Sequence, residues 1–301
     1  MKLIKSSFKI IPQLSGIDGI YKQIEICGRT CYKSEDKITE DSAKGFVDRM
    51  MKSNHGAMLE HGTVYLKFET VKSARHPLDK YYYNKYSKVT TEEGLTKQTK
   101  IVFVTTNLRV LVENDWMGDL QYLCEPTEYH EKRITVKFIS DIGVNRETNR
   151  HRTHSIGEES TRYCNYSKDK FDQQITVIQP DEVSDIEVEN AFDGETILSV
   201  CEEFQGNSLL ESDAVAYWIA ANVFCEFCYN KLIEKGWKPQ QARRILPLDT
   251  KAELVHTAFI SDWKHFFDLR ADGVTGAPHP DIKKLAEPLK QNFIELGLYE
   301  I

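Results

Sequence analysis

Apolar residues recur at two periods along this chain, and the switches between those periods mark out its elements. Residues 2–11 alternate polar and apolar side chains, as an opening strand does, whereas residues 17–27 space Ile20, Ile24 and Cys27 for a helix. Behind Thr39, Glu40 and Asp41, the residues Ala43, Phe46, Val47, Met50 and Met51 fall at i, i+3, i+4, i+7 and i+8. That spacing predicts a helix capped at Thr39, with an acidic first turn and an apolar stripe facing the core. Val64, Leu66 and Phe68 share one face of a strand, and residues 134–138 repeat the alternation, so the two strands are expected to share a sheet with the same face buried. Between them, residues 101–104 read as a strand, and Leu108, Leu111 and Val112 as a short helix.

The second half follows the same rules. A helix from about Gly143 is expected to deliver Arg146 and Arg150 on one side. Residues 175–178 read as a short strand closed by Pro180 and Asp181, and residues 181–196 as an acidic exposed stretch. Helices are predicted near 195–205 and 211–235, the second buried on most sides and stopped by Gly236. Pro239 suits the first turn of a short helix that Pro247 ends. A strand over about 252–260 then leads to a helix capped by Ser261 or Asp262, with Trp263, Phe266, Phe267 and Arg270 on one face.

Composition narrows the partners. With 301 residues, 41% hydrophobic and 28% charged, the chain reads as an ordinary globular protein long enough to bury most of its apolar surface. A net charge of −7 argues against a nucleic-acid backbone as partner, because such binding needs a broad basic face. Seven cysteines without a regular framework read as reduced thiols in a cytosolic setting. The opening residues do not resemble a signal peptide, and the most apolar run, 214–229, is too short and too polar to span a bilayer. No metal site is expected: Cys225 and Cys228 form a lone CxxC, and the spacing of His55 to His61 matches no metalloprotease pattern. Phosphate-binding glycine loops of the dinucleotide and triphosphate type are missing too.

One stretch stands against the acidic background. Residues 145–167 hold Arg146, Arg150, Arg152 and Arg162, with His151, His154, Gly157, Glu158 and Ser160. Guanidinium forks match phosphate bidentately, a hydroxyl adds a donor, and a glycine lets backbone approach a ligand closely. The plainer alternative is a solvated helix end whose arginines pair with Glu147, Glu158 and Glu159.

The order Arg150-His151-Arg152, seven residues, Ser160, then Thr161-Arg162-Tyr163 closely resembles the signature of the flavin-dependent thymidylate synthases. Three further segments agree with that family: His55, four residues, then Glu60-His61 before a strand; Gln241 to Leu248 around Arg243; and the pair Leu269-Arg270. Residues 71–132 depart from it as an ordered insertion within a single domain of 1–301. The resemblance implies an α+β fold, a mainly antiparallel or mixed sheet packed by long helices, and reductive methylation of dUMP to dTMP, with FAD as cofactor, 5,10-methylenetetrahydrofolate as carbon donor and NADPH as reductant, in a cytoplasmic homotetramer. It implies dUMP contacts from Glu147, Arg150, Glu158, Glu159, Ser160, Thr161, Arg162 and Arg243, and Arg270 as the catalytic residue that polarises the pyrimidine. FAD contacts are implied for His55, Ala57, Arg150, His151, Arg152, Glu158 and His265. Arg244 reads as a surface neighbour, and Cys164 has no nucleophilic role in this chemistry. Where members often carry Asn-x-Arg, this chain has Phe259-Ile260-Ser261. The rival readings are a non-catalytic protein clamping nucleotide or nucleic-acid phosphates, and a flavin-dependent methyltransferase acting on RNA uridine.

Overall fold

A computed structural model of the chain describes residues 1–72, 77–183 and 214–299. The helix expected near 195–205 and most of the acidic stretch 181–196 lie outside the described residues. In chain order the strands are β1 (Lys2–Ile4), β2 (Ser7–Ile11), β3 (Thr63–Val71), β4 (Lys88–Glu93), β5 (Thr99–Asn107), β6 (Arg133–Asp141), β7 (Ser155–Glu158), β8 (Thr176–Ile178) and β9 (Lys251–Phe259). The helices are α1 (Gly16–Tyr32), α2 (Ser42–Lys52), α3 (Gly56–Leu59), α4 (Leu108–Glu113), α5 (Ile142–Thr148), α6 (Ala214–Glu234), α7 (Pro239–Ala242), α8 (Ile260–Arg270) and α9 (Pro280–Glu295). The chain is thus α+β, as the resemblance implies. Two compact units contain these elements, the larger made of Phe8–Lys137, His151–Glu158 and Leu254–Ile301, the smaller of Met1–Ser7, Phe138–Arg150 and Glu159–Glu253.

In the larger unit, α1 and α2 bury the expected stripes, with Ile20, Ile24, Phe46 and Val47 in one core with Val64, Leu66 and Phe68 of β3. Thr39 does not cap α2. The residue before the helix is Asp41, which makes no side-chain cap bond, while the Ser42 hydroxyl donates to Glu25 at 2.7 Å and accepts from the Thr39 N–H at 2.9 Å.

The expected pairing of the strands at 64–68 and 134–138 does not occur: β3 lies in the sheet β3-β5-β4, and β6 in the sheet β2-β6-β9-β7. The insertion is the reason. Its strand β5 pairs antiparallel with all of β3, from Thr63↔Asn107 to Val71↔Thr99, and on the other edge Leu66 bridges to Leu123. With both edges of β3 occupied, no ladder position remains for β6.

Residues 2–11 likewise form two strands in different sheets, since β1 pairs in parallel with β8, from Lys2↔Thr176 to Ile4↔Ile178. The helix α8 begins behind Phe259, not at Ser261 or Asp262, and the Ser261 hydroxyl donates to Glu131 instead. Trp263, Phe266 and Phe267 are fully buried, and Trp263 and Phe267 meet Phe293 of α9 with ring centroids 5.6 and 5.1 Å apart. Each such ring contributes about 1.5–3 kcal/mol by leaving water.

The smaller unit has its own core of Cys164, Tyr166, Ile175, Val177, Tyr229 and Ala242. Its helix α6 is less buried than its apolar composition suggests. Ile219, Val223 and Tyr229 face inward, while Tyr217, Phe224 and Phe227 are 40%, 41% and 42% exposed.

Candidate functional site

The arginine motif starts in the smaller unit. Asp141 caps α5, accepting from the Val144 N–H at 2.7 Å, and the helix carries exposed Arg146 and half-buried Glu147. Helix α5 ends at Thr148, so Arg150 is not presented beside Arg146 on one helical face; it follows in a turn, its N–H donating to the Glu147 carbonyl at 3.3 Å. Glu159 is buried and structurally committed. Its Oε2 accepts from Lys251 Nζ at 2.8 Å and from the Glu253 N–H at 3.2 Å, which fixes the start of the Ser160 loop against the first residues of β9. Ser160 turns the chain, its carbonyl accepting from the N–H groups of Tyr163 and Cys164. Arg243, in the turn after α7, donates from Nη1 to Thr161 Oγ1 at 3.1 Å, across 82 residues of sequence. Two segments that the resemblance links are thereby brought together, with Arg162 and Arg243 both exposed and the Arg162 guanidinium 5.5 Å from the Tyr163 ring centre.

The motif's other half lies in the larger unit, where β7 runs antiparallel to β9 from Ser155↔Thr257 to Glu158↔Leu254. Arg270, half-buried at the end of α8, donates from Nε to His151 Nε2 at 3.2 Å. The Phe266 and His265 rings lie 4.9 and 5.9 Å from that imidazole. Burial first, then the charges of Arg270 and His265, push the His151 pKa down to about 4. At neutral pH the ring is therefore uncharged, with Nε2 as acceptor, and it orients the guanidinium without bringing a charge of its own. The charged residue on the apolar face of α8 thus meets the motif's own imidazole.

Behind His151 stands a buried histidine cluster that the sequence did not reveal. His154 and His256 meet through their Nδ1 atoms at 2.9 Å, and His61 Nδ1 meets Thr257 Oγ1 at 2.8 Å. Burial holds His154 and His61 down to about 3, and His256 well below its ordinary value. Helical and strand periodicity gave no signal for His256, because every residue of β9 after Lys251 is buried. Gly157 also serves differently from its expected role beside a ligand. A Cβ there would lie 3.0 Å from Cys31 Sγ and 3.3 Å from His61 Nε2, so the glycine answers the close approach of α1 and the residues around His61.

His55 stands half-buried just before α3, with its Nδ1 3.4 Å from the Tyr32 hydroxyl, and Ala57 and His265 are exposed. Arg152 and Thr153 form an exposed turn that lines a cavity of about 360 Å³ together with Arg133, Lys85, Lys88 and Phe259. Arg133 is buried and donates to the Glu60 carbonyl at 2.9 Å and to Ser155 Oγ at 2.9 Å, yet its Nε has no hydrogen-bond partner among the described residues. Convergent cations suit the phosphates of a flavin dinucleotide, so the residues present fit that cofactor. No group of acidic, histidine or cysteine side chains among the described residues is arranged to hold a metal ion. No described helix is long and apolar enough to cross a membrane.

Guanidinium groups clustered on two segments of the motif have the shape and charge that suit phosphate. Residues 126–296 match the thymidylate synthase complementing protein family (Thy1), and the chain belongs to that family. It is also 40% identical over 67 residues to the "Probable flavin-dependent thymidylate synthase" of Paramecium bursaria Chlorella virus 1, a match spanning 22% of this chain and 30% of that relative. Among solved structures it is similar to the UMP/dUMP methylase PolB of Streptomyces cacaoi. The form bound with 5-Br UMP aligns over 98% of this chain and 92% of that one, at 16% identity and a TM-score of 0.44. The form bound with 5-Br dUMP gives a TM-score of 0.40, also at 16% identity, over 98% and 93% of the two chains.

Proposed function

We propose that the chain is a flavin-dependent thymidylate synthase that methylates dUMP reductively to dTMP, with 5,10-methylenetetrahydrofolate as carbon donor and NADPH as reductant. The observation that carries the reading is the hydrogen bond from Arg270 to His151, which joins the motif's histidine to the arginine that the resemblance assigns to the pyrimidine. Bound FAD, reduced by NADPH, would supply the hydride. This chain's residues bind and orient around it. Arg150, Ser160, Thr161, Arg162 and Arg243 hold the nucleotide phosphate and sugar, with Glu147 and Glu158 accepting from nucleotide donors. Glu159 acts through the loop it fixes. Arg152, His55, Ala57 and His265 line the flavin, as Arg150 and Glu158 do on its other contacts.

Arg270 gives a fixed cation where the pyrimidine gains negative charge, and such a charge is worth most when it is oriented before the reaction begins. His151, held uncharged, is the positioning residue for it. The exposed aromatic side of α6 supports assembly into the homotetramer, because a soluble monomer rarely keeps Tyr217, Phe224 and Phe227 together in water. Cysteines scattered without a regular framework suit a cytoplasmic setting. Purified protein should be yellow, or become so on adding FAD, and should sediment as a tetramer that Phe224→Glu with Phe227→Glu splits. A colourless preparation that takes up no flavin contradicts the reading.

A further inference from the structure

The insertion at 71–132 is used to build a site, not only a sheet. It contributes Lys85, Tyr86 and Lys88 to the wall of the cavity that Arg133 and Arg152 also line. The turn that carries them is built rigidly: Asn84 Oδ1 accepts from the Tyr86 N–H at 2.9 Å and from Ser87 Oγ at 3.2 Å, and the Ser87 and Thr106 hydroxyls, the latter on β5, meet at 2.8 Å. Lys88 then enters β4 in register with Thr105. Two lysines are thus held at fixed places on a strand and its preceding turn.

The charge balance at the cavity is one-sided. Lys85, Lys88, Arg133 and Arg152 face it against the two carboxylates Glu60 and Asp262, and Glu60 is already paired with Arg109. Lys88 reaches Glu131 only at 3.9 Å, and its ammonium lies 5.6 Å from the Phe259 ring centre. Lys85 makes no ion pair among the described residues and rests 4.9 Å from the Tyr86 ring centre. The buried Arg133, 8% exposed, has its Nε without a hydrogen-bond partner among the described residues. Three solvent-facing cations and the buried Arg133 around about 360 Å³, against two carboxylates of which Glu60 is already paired, call for a dense anion. A further cavity of about 320 Å³ shares Glu60, Lys85, Tyr86 and Asn107 with the first, which leaves room for the ligand to extend past the lysines. The net charge of −7 speaks against a nucleic-acid strand as that ligand.

We infer that the insertion completes an anion site in which Lys85 and Lys88, with Arg133 and Arg152, take the pyrophosphate of an adenine dinucleotide. The dinucleotide's identity rests on the proposed function, whereas the anion site does not. FAD and NADPH both carry such a pyrophosphate, and the experiment separates them.

Lys85→Glu with Lys88→Glu is compared with wild type by calorimetric titration of inorganic pyrophosphate, then of FAD, NADPH and dUMP. Lys85→Arg with Lys88→Arg serves as the charge-preserving control, and Lys85→Gln with Lys88→Gln replaces the reversed variant if that one does not fold. Loss of both lysines should weaken pyrophosphate and one dinucleotide by at least ~10-fold, leave dUMP unchanged, and be rescued by arginine. If FAD weakens, the site is the flavin's; if NADPH weakens, it is the reductant's. Unchanged affinity for pyrophosphate, or for both dinucleotides, overturns the inference while leaving the synthase reading in place. Wild-type protein that binds pyrophosphate but neither dinucleotide contradicts the synthase reading and keeps the anion site.

Discussion

Arg270 is held through Nε by a neutral imidazole, and that bond is a property lysine cannot reproduce. Arg270→Lys keeps the charge but loses the planar fork, so turnover should fall by at least ~10-fold, or ~1.4 kcal/mol of barrier. Reduction of the flavin by NADPH, followed by stopped flow, should change much less, because that half-reaction does not need the pyrimidine. An unchanged turnover would mean that the guanidinium only fills space beside Phe266 and His151. At this scale the sequence was legible where chemistry dictates residue type: Arg270 stands out as a charge on the face of Trp263, Phe266 and Phe267, whereas the bond from Arg243 to Thr161 had no signal in the spacing. His256 and Arg133 were not legible. His256 sits in a strand buried on both faces, where a lone polar residue carries no periodic signal, and Arg133 heads β6 one position before its alternation begins.

Elements were legible as segments, less so as pairings. Nothing in the alternation of β3 and β6 distinguishes which neighbour each will take, and the nine-residue match of β5 to β3 decided it. Gly157 shows the same limit in miniature, since a strand glycine announces a close approach without naming what approaches. Here it is α1, through Cys31, and the loop that carries His61. Gly157→Ala pushes a methyl into that contact and should cost about 1–3 kcal/mol, read as a lower thermal midpoint, with the flavin spectrum retained. A variant as stable as wild type would show that Cys31 can yield without loss.

For the whole molecule, the buried histidines set an acid limit. Each ionises near 6.5 when unfolded, whereas the folded values of His61 and His154 are about 3 and that of His151 about 4. Between those values the unfolded chain binds more protons, so stability is complete above about pH 6.5 and is lost as the pH falls towards 4 and below. Each histidine adds up to about 1.4 kcal/mol per pH unit to that loss. Denaturant unfolding at pH 7, 6 and 5 should show the decline, and a flat profile would contradict the buried neutral cluster.

The account's central claim, however, is chemical. It is tested most directly by tritium release from dUMP labelled at C5, using enzyme loaded with FAD and supplied with NADPH and 5,10-methylenetetrahydrofolate, in wild type and in Cys164→Ala. The account predicts release that requires both co-substrates and the flavin, and that persists substantially in Cys164→Ala, because that thiol is buried and attacks nothing. Release that proceeds without flavin, or that collapses by several orders of magnitude in Cys164→Ala with flavin still bound, would contradict it.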